Sequence, residues 1–185
     1  MMLEVRLHGR GGQGVVSAAR LMAEATIEEG RHAQAFPEFG AERSGAPIAA
    51  YARLSDEPIE IRSLIHEPDV VMVVDRSMVA ERMVASGLKE GGVLIVNFDG
   101  DPVQVRRDLD LRPAIKVWAV DATGIALKTI GKDFPNTPML GAMARATGAL
   151  RLEALVPVFE KRFKGALQER NVKALKCGYE EVKAG

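Results

Sequence analysis

The chain has 185 residues, 47% of them hydrophobic and 5% aromatic, with 25 Lys+Arg against 25 Asp+Glu and so no formal net charge. That length buries enough apolar surface for one domain, residues 1–185, without disulfides or a structural metal, and the charge balance speaks against a nucleic-acid partner. The lone cysteine, Cys177, excludes an internal disulfide framework and cannot hold an iron–sulfur cluster by itself; no apolar run is long enough for a bilayer, so a soluble cytoplasmic protein with no membrane partner is expected.

Residues 3–8 alternate apolar and polar and predict a strand with one buried face. The strand runs into Gly9-Arg10-Gly11-Gly12-Gln13-Gly14, after which Val15, Ala19, Met22 and Thr26 recur at helical spacing up to Gly30. Residues 33–36 predict a short second strand ended by Pro37. Residues 48–55 and 59–63 predict a hairpin joined by Asp56-Glu57-Pro58. Two continuous apolar runs, 70–74 and 93–96, suit strands covered on both faces, with a helix over 77–88 carrying Val79, Met83 and Leu88 between them.

A strand over 117–120, a helix over 123–130 and a small Ala- and Met-rich helix over 137–146 follow. Leu152, Leu155, Val156, Phe159 and Phe163 mark another helix, in which Pro157 must lie in the first turn or make a kink. Val172, Leu175, Tyr179 and Val182 mark the last. This order predicts an α/β fold: a doubly wound, mostly parallel sheet with helices on both faces and an inserted hairpin.

Gly9-x-Gly11-x-x-Gly14 stands between a strand and a helix, where glycine lets the backbone approach a phosphate and free N–H groups attract it. The alternative is a tight turn that only packs helix on sheet. A nicotinamide dinucleotide would also need an acid after the second strand, for which Glu38 is the nearest candidate. Residues 36–47 are apolar yet aperiodic. They read as a binding loop, with Arg43 and Ser44 available to an anion, or as an irregular crossover capping the core. Asp75, Asn97, Asp99 and Asp121 follow apolar strands at the carboxyl edge of the sheet, where ligands bind, but capping is the better reading of each singly. Asn136-Thr137-Pro138 opens a helix and fits either an anion site or a cap. His8, His32 and His66 have no metal-ligand spacing with Cys177, and no nucleophile–base pair stands out. The inventory is an anion loop without catalytic machinery, as a part of a larger assembly would have.

Gly9-Arg10-Gly11-Gly12-Gln13-Gly14-Val15, Phe36-Pro37-Glu38-Phe39-Gly40-x-Glu42-Arg43-x-Gly45-Ala46-Pro47, Ser55-Asp56-Glu57-Pro58-Ile59 and Asn136-Thr137-Pro138-Met139-Leu140-Gly141 together resemble the gamma subunit of 2-oxoacid:ferredoxin oxidoreductases. The Phe-Pro-Glu-Phe-Gly form is more similar to pyruvate or branched-chain enzymes than to 2-oxoglutarate ones. The resemblance implies a complex that decarboxylates a 2-oxoacid on thiamine diphosphate, reduces ferredoxin through [4Fe–4S] clusters and transfers the acyl group to coenzyme A. It places thiamine diphosphate, Mg and the clusters on partner subunits of alpha, beta and delta type. It gives this chain a share of the coenzyme A site, inactive alone, with homodimerisation an option for the isolated chain. Carried onto this sequence, the coenzyme A contacts are Gly9, Gly11, Gly12, Gln13 and Gly14, supported by Arg10, Arg43, Ser44, Asn136 and Thr137; no catalytic or metal-binding residue is assigned. Ala41 and Ser44 depart from the family's proline and arginine, which weakens a charge contribution at Ser44. The competing readings are a purely structural subunit and a free-standing NAD(P)-binding dehydrogenase domain.

Overall fold

The computed structural model describes residues 1–38 and 45–185. Its seven strands are β1 (Met2–Arg10), β2 (His32–Pro37), β3 (Pro47–Ser55), β4 (Val70–Val73), β5 (Val93–Asn97), β6 (Lys116–Val120) and β7 (Lys183–Ala184). They form one sheet in the order β2-β3-β1-β4-β5-β6-β7. The central four, β1, β4, β5 and β6, run parallel, whereas β2, β3 and β7 pair antiparallel at the two sides. The helices are α1 (Val15–Glu28), α2 (Pro102–Asp108), α3 (Ala122–Thr129), α4 (Asn136–Thr147), α5 (Leu152–Arg162) and α6 (Gly165–Glu181).

The strand patterns follow from which faces are covered. In β1, Val5 and Leu7 enter the core that α1, α3, α4, α5 and α6 build on one face, while Arg6 and His8 face the other way. In β4 both faces are covered: Val70 and Met72 enter that core, and Val71 and Val73 pack with Val105 of α2 and with Met78 and Val84 on the opposite face. An unbroken apolar run is the result. Residues 137–144 of α4 are all buried, because this helix is enclosed between the sheet, α1 and α6. A helix enclosed on all sides needs small and flexible residues, hence its Ala, Met and Gly content.

Two expectations change. Residues 59–63 form no strand, and the hairpin is β2–β3 instead, with Phe36 opposite Tyr51. The carbonyls of the 59–63 segment are bonded by side chains from below: Gln34 Nε2 donates to Ile59 at 3.1 Å, and the buried Arg53 donates to Ile61 at 3.4 Å and Ser63 at 2.7 Å. Residues 77–88 are not an α-helix but two 3₁₀ turns, Arg76–Ala80 and Arg82–Ala85, separated by an extended Glu81. Met78, Val79, Val84 and Leu88 are buried, as two short turns permit, whereas Met83 points into solvent at 77% exposure. Pro157 lies inside α5, beyond the first turn. The α2 helix and the β7 edge strand had no distinct signal, being seven and two residues long.

The closest helix contact is between α4 and α6. A Cβ on Gly141 would lie 2.0 Å from the Leu175 carbonyl oxygen, and one on Gly178 would lie 2.0 Å from that of Pro138. Only glycine permits that approach. Gly141→Ala is therefore expected to lower stability by about 3 kcal/mol, while Glu169→Ala on the exposed face of α6 stays within about 0.5 kcal/mol. Urea denaturation of the purified chain measures both, and an unchanged midpoint for Gly141→Ala would show that the two helices can separate without cost.

Candidate functional site

The glycine pattern divides between strand and turn. Gly9 and Arg10 still belong to β1, paired with Ile48 and Pro47 of β3. Gly9 has no room for a side chain, since its Cβ would meet Val15 Cγ2 at 2.5 Å where α1 folds back on the strand. Gly12 and Gly14 take left-handed conformations, φ +97° and +76°, that other residues adopt only with strain. At Gly12 no described atom of the chain lies within 4 Å of where a Cβ would stand. The turn is laced on both sides. Gly11 N donates to the Ala46 carbonyl at 3.0 Å, and Gly45 N donates to that of Gly11 at 3.2 Å. Gln13 Oε1 accepts from Arg10 N at 2.8 Å, while its Nε2 donates to the Asp75 carboxylate at 2.5 Å. The Gln13 side chain thus holds the loop in shape.

Two helices begin here. Gly14 is the residue that starts α1, and among the described residues no side chain caps that end. Asn136, the first residue of α4, rests on it: its Nδ2 lies 2.6 Å from where a Gly14 Cβ would be. The start of α4 likewise has no side-chain cap, and Pro138 has no N–H to offer, which leaves those of Asn136 and Thr137. Two positive helix ends meeting at one point make a strong attraction for an anion. Arg10 adds a cation beside them, its side chain one-third exposed; it donates to Gly45 O at 3.3 Å and to Ser77 Oγ at 3.1 Å, with Asp75 3.5 Å away.

The structure therefore brings together Arg10, Gly11, Gly12, Gln13, Gly14 and Asn136, with Gly9 in the strand below. Thr137 is adjacent, but its hydroxyl turns inward and donates to Asn171 at 3.1 Å. Arg43 and Ser44 lie outside the described residues. The polar residues at the carboxyl edge are engaged locally: Asp75 accepts from Ser77 N, Asp121 from Gly124 N, Asn97 bridges Val74 O and Thr123, and Asp99 pairs with Arg76 at 2.6 Å. Each does what capping or pairing requires, and no metal-type grouping of His, Cys, Asp and Glu occurs among the described residues.

Sequence reasoning did not find the polar cluster on the sheet face away from the five packed helices. Tyr51 of β3 stacks on Phe36, with ring centroids 5.3 Å apart, and donates to Glu38 at 3.1 Å. Burial, the Glu38 charge and this hydrogen bond raise the phenol above its ordinary value against the opposing Arg6 charge. Glu38, the acid a dinucleotide would have needed, is thus tied to the sheet where the second strand ends. Arg6 Nε donates to His8 Nε2 at 3.0 Å, and Arg6 Nη2 reaches the carbonyls of Val84 and Ser86. The one available signal was the alternation within β3, which sets Tyr51 and Arg53 on the face opposite Ala50, Ala52 and Leu54.

Residues 4–181 match the family model for pyruvate ferredoxin/flavodoxin oxidoreductase. The chain belongs to that family. It is 49% identical over 173 residues to the common gamma subunit of the pyruvate/ketoisovalerate oxidoreductases of Thermococcus kodakarensis, covering 94% of this chain and 93% of that one. The crystal structure of the pyruvate oxidoreductase subunit PORC from Thermotoga maritima superimposes with a TM-score of 0.90 at 44% identity, covering 100% of this chain and 98% of the other. The 2-oxoglutarate:ferredoxin oxidoreductase of Magnetococcus marinus shares the fold, with a TM-score of 0.76 at 19% identity over 97% of this chain but 30% of its own. This is the gamma-type subunit of a pyruvate/2-oxoacid:ferredoxin oxidoreductase, and a gamma subunit implies companion subunits in the same enzyme.

His8 supplies a pH test of the polar cluster. Burial, and then the Arg6 charge, push its imidazole down from 6.5 to about 4. The unfolded chain thus takes up a proton between those values that the folded chain refuses, and stability must fall as pH drops through that window. Between pH 7 and pH 5 the loss from this group is about 2 kcal/mol. His8→Gln keeps an acceptor for Arg6 without the titration, so its urea midpoint is expected to change less over the same interval. Equal slopes for both proteins would show that His8 titrates normally.

Proposed function

We propose that this chain seats the phosphates of coenzyme A at the turn of Gly11, Gly12 and Gly14 and the start of α4, with Arg10 beside them. The complex it serves oxidatively decarboxylates a 2-oxoacid, pyruvate first among the candidates, to acyl-CoA and passes the electrons to ferredoxin. Partner subunits of alpha, beta and delta type carry thiamine diphosphate, Mg and the [4Fe–4S] clusters; Cys177 alone could not ligate a cluster.

The observation that carries this reading is the meeting of two uncapped helix starts at Gly14. The residues suit the group. Backbone N–H donors and a guanidinium match phosphate oxygens, Gly12 leaves open space above the turn, and the nearby Asp75 carboxylate is neutralised by its own donors. The Magnetococcus marinus enzyme of the same fold was solved with coenzyme A bound, which makes this ligand the natural first choice. Coenzyme A supplies the thiol that takes the acyl group; the residues here bind and orient its charged end. The cytoplasm is the proposed location, and no helix of the described residues is long and apolar enough to cross a membrane.

Gly12→Ala tests the proposal, because at φ +97° the alanine strains the turn and sets a methyl group above it without meeting any described atom of the chain. In the assembled enzyme, the KM for coenzyme A is expected to rise about tenfold, a loss of roughly 1.4 kcal/mol, while the KM for the 2-oxoacid and the subunit composition stay unchanged. An assembled complex with unaltered coenzyme A kinetics would overturn the reading, and loss of assembly alone would favour a purely structural subunit.

A further inference from the structure

Thr137 and Asn171 are both buried, at 2% and 5% exposure, and they meet in the contact between α4 and α6. Thr137 Oγ1 donates to Asn171 Oδ1 at 3.1 Å, and Asn171 Nδ2 donates to the Leu167 carbonyl one turn back in its own helix at 2.8 Å. Each polar side-chain atom of the two residues has a partner. The hydroxyl stands at the second residue of α4, next to Asn136, which touches the glycine turn. The glycine contacts at Gly141 and Gly178 bring the two backbones together, but a smooth van der Waals contact does not fix how far one helix slides along the other. A hydrogen bond does, since it weakens steeply with distance and angle.

We infer that Asn171 is a positioning residue for the anion seat: acting through Thr137, it sets the axial position of α4 and so the place where the N–H groups of Asn136 and Thr137 stand relative to Gly14. This rests on the coenzyme A reading, and it gives Thr137 a different part from direct side-chain contact. Its hydroxyl orients the helix, and only its backbone N–H faces the ligand.

The test uses the assembled enzyme carrying Thr137→Val, Asn171→Ala, the double variant, or Thr137→Ser, which keeps the hydroxyl. Two quantities are read: the kinetics with coenzyme A, and amide hydrogen exchange over residues 136–141 measured without coenzyme A. Thr137→Val and Asn171→Ala are each expected to raise the KM for coenzyme A about fivefold, the worth of one neutral hydrogen bond. The kcat and the KM for the 2-oxoacid stay within twofold, and exchange at 136–141 rises. The double variant is no worse than either single, because both remove one interaction, and Thr137→Ser behaves like the unaltered enzyme. If exchange rises while the KM for coenzyme A does not, and Gly12→Ala still raises it, the pair only holds the fold and the inference fails with the coenzyme A reading intact. If Gly12→Ala is also without effect, that reading falls and takes the inference with it. Failure of the Val and Ala variants to assemble, or a Thr137→Ser enzyme as impaired as Thr137→Val, likewise overturns it.

Discussion

The glycine turn depends on one carboxylate. Asp75 stands at the end of β4, 7% exposed, and accepts from Gln13 Nε2, Ser77 N and Ser77 Oγ, with Arg10 close by. Burial alone would raise its pKa; the bonds from Ser77 and Gln13 and the Arg10 charge outweigh that and hold it below the usual carboxylate range. A bare negative charge beside an anion seat would repel the ligand, but here each of its donors is also a structural tie. Gln13 fixes the turn, Ser77 starts the first 3₁₀ turn, and Arg10 connects to Gly45 at the far side of the loop. The carboxylate is thus a hub that ties the turn together without capping either helix start.

The opposite face shows how a sheet can be covered without helices. Over β2, β3 and β1 the layer is irregular chain, and its carbonyl groups require donors because buried backbone groups are costly to leave unpaired. Two arginines supply them. Arg53, only 1% exposed, binds Glu4 at 3.0 Å, reaches the carbonyls of Ile61 and Ser63, and lies 5.5 Å from the Phe36 ring. Arg6 does the same for Val84 and Ser86. A buried ion pair is weak support for stability by itself, yet a planar guanidinium with five donors can organise several carbonyls at once. That is a reason for arginine, and not lysine, at both positions.

What was legible in the sequence follows from the range of the forces involved. The strands β1, β4, β5 and β6 and the helices α1, α3 and α4 were readable because their periodicity records burial along one element. The 59–63 segment looked like a strand because its composition suits one; what it does instead is decided by Arg53 and Gln34, side chains on two other strands. The 77–88 segment has helical spacing of apolar residues, but Glu81 is extended and Met83 faces solvent, so two turns meet the same burial need. The glycine turn was legible as a tight turn between a strand and a helix, and its contact with Asn136 was not, since nothing local ties residue 14 to residue 136.

The six residues of the 136–141 motif read as one signal, but the structure divides them among three neighbours. Asn136 faces the glycine turn, Thr137 faces Asn171, and Pro138 and Gly141 face the backbone of α6 at distances only glycine allows. Met139 and Leu140 fill the core below. A seat assembled in this way is only as well placed as the packing behind it. On the proposed seat, a change in α6, far along the chain, acts on the ligand through the start of α4.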